Sequence, residues 1–136
     1  RLSHLEYLMK HLPKELRDKS VMVDGKMTSK KGKAQREKAI EDMRAGKKHF
    51  LFATYALAKE GLDIPRLDRL YLVTPQKDYA VIAQSVGRVA RTFEGKVTPV
   101  VYDYVDNGIQ YLVRSFKKRC TTYRKLGCHW LEEAVM

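Results

Sequence analysis

Tyr79-Ala80-Val81-Ile82-Ala83-Gln84-Ser85-Val86-Gly87-Arg88-Val89-Ala90-Arg91 is the stretch whose reading decides the fold. A helix turns about 100° per residue, so Gln84, Arg88 and Arg91, at i, i+4 and i+7, fall on one narrow face. Ile82, Val86 and Val89 share that spacing and land nearly opposite. The segment therefore presents one apolar stripe to a core and one stripe of two guanidiniums and an amide outward. Gly87 stands directly before Arg88, where an exposed helix interior favours Ala by about 1 kcal/mol. A bare backbone at that point implies something that must come close. Paired Arg forks suit an oxyanion with several oxygens, phosphate above all. Taken alone, a helix carrying two arginines reads first as a surface helix with a solvated polar face.

The rest of the chain bounds the choice. At 136 residues it reads as one domain, large enough for a proper core. That core occupies about residues 1–105, and a basic helix and tail fill 106–136. Its 27 basic residues against 16 acidic ones give a net charge of +11, which favours a polyanionic partner, nucleic acid first. No apolar run approaches the ~20 residues of a membrane span. The opening Arg1-Leu2-Ser3-His4 is no secretory signal, so the expectation is a cytoplasmic protein with no membrane partner. Cys120 and Cys128 read as free thiols, and no His or Cys spacing suggests a metal site.

Periodicity predicts alternating elements. Ser3-His4-Leu5-Glu6 resembles a capping box at the head of a helix that ends at Pro13. Val21-Met22-Val23 is a strand, and a basic loop over Lys26–Lys33 leads to a helix of about Ala34–Ala45 with Gly46 as its C-terminal cap. His49–Ala53, Leu70–Val73 and Thr98–Val105 are further strands. The last helix is capped by Asp106 and carries Ile109, Leu112, Val113, Phe116, Cys120 and Tyr123 on its inner side. Uniformly apolar strands alternating with helices argue for an α/β fold, a mostly parallel sheet with helices on both faces.

Gln84-Ser85-Val86-Gly87-Arg88-Val89-Ala90-Arg91 resembles motif VI, Q-x-x-G-R-x-x-R, of superfamily 2 helicases. Ala53-Thr54-Tyr55-Ala56-Leu57-Ala58-Lys59-Glu60-Gly61-Leu62-Asp63-Ile64-Pro65, one strand upstream, resembles motif V of the same family. It leaves the end of a strand, where ligands gather in open α/β sheets. The likeness covers about Arg1 to Asp103 and implies the second RecA-like domain of a helicase core, a three-layer fold. The family's first strand, bearing motif IV, precedes the first helix there, so the expectation is a sheet lacking that strand.

The resemblance also implies roles. Arg91 is the arginine finger on the ATP γ-phosphate, Arg88 stands beside it, and Gln84 orients groups near the attacking water. Gly61 and Asp63 reach toward the nucleotide, with the carboxylate on a ribose hydroxyl. Thr54 contacts the nucleic-acid backbone, and Lys26 and Thr28 join it from the loop after the first strand. Gln84 stands where DEAD-box RNA enzymes usually carry His, which leans the partner toward DNA and the source toward phage or bacterium.

ATP hydrolysis further needs a G-x-x-x-x-G-K-[ST] cradle and a carboxylate for Mg2+. Gly25-Lys26-Met27-Thr28 lacks the upstream glycine and the hydroxyl after Lys26, and Asp103-Tyr104-Val105-Asp106 makes no convincing Mg2+ box. By resemblance both parts belong to an N-terminal RecA-like domain, which holds the ATP and Mg2+. The full-length protein is then an ATP-dependent helicase or translocase, and this chain by itself is inactive. The competing reading is a non-catalytic nucleic-acid-binding module in which the Arg face grips phosphates directly.

Overall fold

The computed structural model describes residues 2–24, 27–55, 63–74, 78–91 and 94–131. They fall into two compact units, Arg1–Arg66 and Leu67–Met136.

In the first unit, α1 (Leu2–Lys10) and α2 (Lys14–Asp18) precede β1 (Ser20–Val23), then α3 (Lys30–Arg44) and β2 (Phe50–Ala53) follow. β1 and β2 pair in parallel, with Ser20 opposite Phe50 and Val23 opposite Ala53. α3 packs on β1 and α1 on β2. Among the described residues of this unit, Leu5, Val23, Met43 and Ile64 are the buried apolar ones.

The elements differ from their sequence-based outlines for local reasons. Ser3 lies inside α1 rather than at its cap. Pro13, expected only to end a helix, also begins one: it stands at the N-cap of α2, where its missing N–H costs no hydrogen bond. α3 starts four residues before the expected Ala34. Lys30, Lys31 and Lys33 oppose the helix dipole and read as loop, yet the Ser29 hydroxyl caps the helix by accepting from Gly32 N at 3.0 Å. Gly32 is closely enclosed there, since a Cβ would stand 3.0 Å from Ser29 Oγ and 3.1 Å from Met27 Cα. At the other end the expected glycine stop holds. Gly46 has φ +76°, Gly46 N donates to Met43 O and Lys47 N donates to Asp42 O, the paired bonds of a Schellman ending.

The second unit runs β3 (Arg69–Leu72), α4 (Tyr79–Val89), β4 (Val100–Asp103) and α5 (Gln110–Lys125). β3 and β4 are again parallel, from Arg69 opposite Val100 to Leu72 opposite Asp103. α4 packs on β3 and on α5. The parallel pairing and the alternation with helices agree with the expected α/β class. Over the described residues the strands form two separate two-stranded sheets.

α5 departs most from expectation. Asp106 does not cap it; its carboxylate accepts from Gly108 N at 2.9 Å and the helix begins after Ile109 with no side-chain cap. Its buried residues are Ser115, Arg119, Cys120, Thr122 and Tyr123, while Ile109 stands exposed. The inner stripe is thus rotated toward polar side chains that find partners inside. Trp130, past the helix, is mostly exposed, with its ring edge-on to Phe116 at 6.2 Å. Cys120 and Cys128 are free thiols, as expected. No helix among the described residues is long and apolar enough to cross a membrane.

Candidate nucleotide and nucleic-acid site

Asp78 starts α4 by accepting from Ala80 N at 2.9 Å and Val81 N at 3.4 Å. Val81, Ile82, Ser85, Val86 and Val89 then face inward, so the expected apolar stripe of Ile82, Val86 and Val89 is the buried one. Ser85 is polar, but its hydroxyl donates to Val81 O at 2.7 Å and leaves nothing unsatisfied. With that face fixed, Gln84 is exposed and Arg88, one turn on, is half-buried. No ion pair to Arg88 forms among the described residues. Gly87 is exposed, and a Cβ there would meet nothing within 4 Å. Among the described residues, packing makes no demand for glycine at that point.

Arg91 requires a correction. α4 ends at Val89 with Ala90 as its C-cap, so Arg91 lies two residues past the helix that carries Gln84 and Arg88. It is exposed. What fixes its backbone is Lys96, whose ammonium donates to Val89 O at 2.5 Å and Arg91 O at 2.6 Å.

In the first unit, Thr54 is half-buried immediately after β2. Because Val23 and Ala53 are partners, the segments carrying Thr28 and Thr54 leave the same end of the parallel pair. Thr28 is exposed. Asp63 is half-buried; its carbonyl accepts from Arg44 Nε at 2.7 Å. Arg66 Nε in turn donates to Arg44 O at 2.9 Å, and Ile64 between them is buried. The end of the motif V stretch is thereby fastened to the C-terminus of α3. Lys26 and Gly61 lie outside the described residues. Gln84, Arg88 and Arg91 belong to the second unit, and Thr28, Thr54 and Asp63 to the first.

Sequence reasoning missed a buried cluster beside β4. Arg119, only 2% exposed, donates from Nε to Asp103 Oδ2 at 2.7 Å and from Nη2 to Asp103 Oδ1 at 2.8 Å. The Tyr123 hydroxyl donates to Asp103 Oδ2, and Arg119 Nη1 to Ser115 Oγ at 3.2 Å. Burial works against the guanidinium's charge, but Asp103 outweighs it and Arg119 is held above its ordinary value. Burial and Asp103 together push the Tyr123 phenol well up. The signal was available: Ser115, Arg119 and Tyr123 recur at i, i+4 and i+8, behind a carboxylate that ends a strand.

The family model for the helicase conserved C-terminal domain matches residues 2–93. The chain belongs to that family. Within it, this helicase domain is 32% identical over 111 residues to "Putative helicase 22" of Sulfolobus islandicus filamentous virus, covering 82% of this chain and 20% of that protein. It is 31% identical over 91 residues to UvrABC system protein B of Bacillus licheniformis, covering 62% of this chain and 13% of the relative. A "Putative ATP-dependent RNA helicase" of Acanthamoeba polyphaga mimivirus matches at 33% over 82 residues, 60% of this chain and 15% of that one. The domain thus spans a fifth or less of these relatives. Among solved structures, the C-terminal domain of the DEAD-box protein Dbp5 superposes with a TM-score of 0.61 at 21% identity, over 93% of this chain and 64% of that one. The fold is RecA-like, and the chain is the C-terminal domain of a superfamily 2 helicase.

Proposed function

We propose that residues 1–136 act as one domain, the second RecA-like half of an ATP-dependent helicase or translocase whose N-terminal RecA-like domain completes the ATP site. The observation that carries the reading is the outer side of α4. Gln84 and Arg88 lie opposite a fully buried face, and between them Gly87 keeps a bare backbone that none of the described residues needs. A helix gives up stability of about 1 kcal/mol for a glycine at such a place, and close approach of an outside surface accounts for it.

The residues present fit one half of an ATP–Mg2+ site. They supply guanidiniums and an amide, whereas among the described residues no group of three or more His, Cys, Asp or Glu is placed to hold a metal. Asp103, the strand-end carboxylate, is already engaged by Arg119 and Tyr123. ATP–Mg2+, when bound, supplies the phosphoryl group that passes to water and the metal's neutralising charge. Arg91 acts on the γ-phosphoryl oxygens as they gain charge, with Arg88 beside it, and Gln84 orients the water side. Gly61 and Asp63 face the nucleotide, the Asp63 carboxylate accepting from a ribose hydroxyl.

Nucleic acid is held through Thr54, Lys26 and Thr28, with support from the outer face of α5. Arg114, Lys117, Lys118, Arg124 and Lys125 are exposed there, and among the described residues none has a carboxylate partner. We assign DNA as the partner on the strength of Gln84. Neutral substitutions at Arg88 and Arg91 in the full-length protein, with ATP binding and ATP turnover measured separately, test the assignment. The reading requires turnover to fall while binding persists, and a non-catalytic module would show no turnover in the unaltered protein.

A further inference from the structure

Lys96 belongs to neither motif, yet it is the residue that holds the end of motif VI. α4 stops without a glycine in the left-handed conformation: its C-cap, Ala90, has φ −75° and ψ −6°. The last carbonyls of a helix have no intrahelical donor and need one from elsewhere. Here Gly95, at φ +77°, turns the chain back. Lys96 then donates from one ammonium to Val89 O at 2.5 Å and to Arg91 O at 2.6 Å. A cation is the favoured partner at a helix C-terminus.

The two acceptors bracket the three residues over which the chain leaves the helix. Val89 is 2% exposed and packed in the core, while Arg91 is exposed. One ammonium therefore ties the exit of Arg91 to a fixed point. Its placement opposes its own ionisation. Burial lowers the Lys96 ammonium from its ordinary value and the Arg91 charge lowers it further, with Asp68 acting the other way. A lysine serving only solubility would not be drawn in beside another cation.

We infer that Lys96 is a positioning residue for Arg91, fixing the backbone from which the guanidinium reaches the phosphate, without touching the nucleotide itself. The inference rests on the reading of Arg91 as the arginine finger. Misplacing a transition-state group by about 1 Å costs ~10²-fold in rate, so the effect belongs in kcat rather than in ATP affinity.

The test uses the full-length protein and four variants: Lys96→Met, Lys96→Arg, Arg91→Ala, and Lys96→Met combined with Arg91→Ala. We expect Lys96→Met to lower kcat for ATP tenfold or more with KM changed less than twofold, and Lys96→Arg to restore most of it. In the Arg91→Ala background Lys96→Met adds no further loss, because both act on one group. Should Lys96→Met fail to fold, Lys96→Gln, which keeps one donor, is expected to lower kcat by a smaller factor with KM again unchanged. Full kcat in a folded Lys96→Met or Lys96→Gln protein, beside an inactive Arg91→Ala protein, overturns the role of Lys96 and leaves that of Arg91 standing. Full kcat in Arg91→Ala overturns both.

Discussion

Asp103 and Arg119 meet where β4 ends and α5 packs back, joined by two hydrogen bonds of 2.7 and 2.8 Å in a bidentate ion pair. The side chains are 9% and 3% exposed, so solvent screens the pair little. Its net worth against a well-packed apolar pair is small, but removal of one partner strands the other charge. Asp103→Ala is expected to cost about 3–5 kcal/mol in denaturant unfolding. A loss below about 1 kcal/mol would mean that Arg119 finds water or another anion.

Tyr123 gives the same cluster a pH dependence. Burial, and then its bond to Asp103, raise the phenol's pKa above the unfolded value. Above pH ~10 the unfolded chain releases this proton while the folded chain keeps it, so the folded state binds more protons and stability falls as pH rises. Below pH ~10 the contribution is fully present. Tyr123→Phe is expected to flatten the alkaline limb of stability against pH. An unchanged limb places the titration elsewhere.

Gly87 separates stability from function. Among the described residues a Cβ there meets nothing within 4 Å beyond its own helix, so Gly87→Ala is expected to raise stability by about 0.5–1 kcal/mol and yet lower ATP turnover. Thermal unfolding and steady-state kinetics on one preparation check both halves. Stabilisation with undiminished turnover removes the argument for close approach at this helix.

The outer cations of α5 set a salt dependence. Each phosphate contact contributes a slope of about −0.7 to −0.9 in log K against log salt. Reversing Arg114, Lys117 and Lys118 to Glu is expected to weaken nucleic-acid binding and to make the slope shallower by about 2–3. Binding measured at several salt concentrations decides this. An unaltered slope means that these three cations make no phosphate contact.

Much of this was legible because its causes are local. Ile82, Val86 and Val89 repeat at the helical period, and Gly46 stands where only a left-handed residue ends a helix. What escaped depends on partners distant in sequence or on a competing local signal. The start of α3 hid behind lysines that oppose the helix dipole. Arg119 points inward only because Asp103, sixteen residues earlier, waits for it. Arg91 lies past the end of its helix, where Lys96, from beyond the next turn, holds the carbonyls of Val89 and of Arg91 itself. The periodicity of Tyr79–Arg91 carries no trace of that contact. Of the eight candidate site residues, Lys26 and Gly61 lie outside the described residues.

The central claim is that this domain lends Arg91 to a phosphate held by another domain. ATP binding and ATP turnover by full-length Arg91→Ala, measured side by side, test it most directly. The account predicts that ATP still binds and that turnover drops by ~10³-fold or more, the scale of a lost arginine finger. Turnover within a few-fold of the unaltered protein would contradict it.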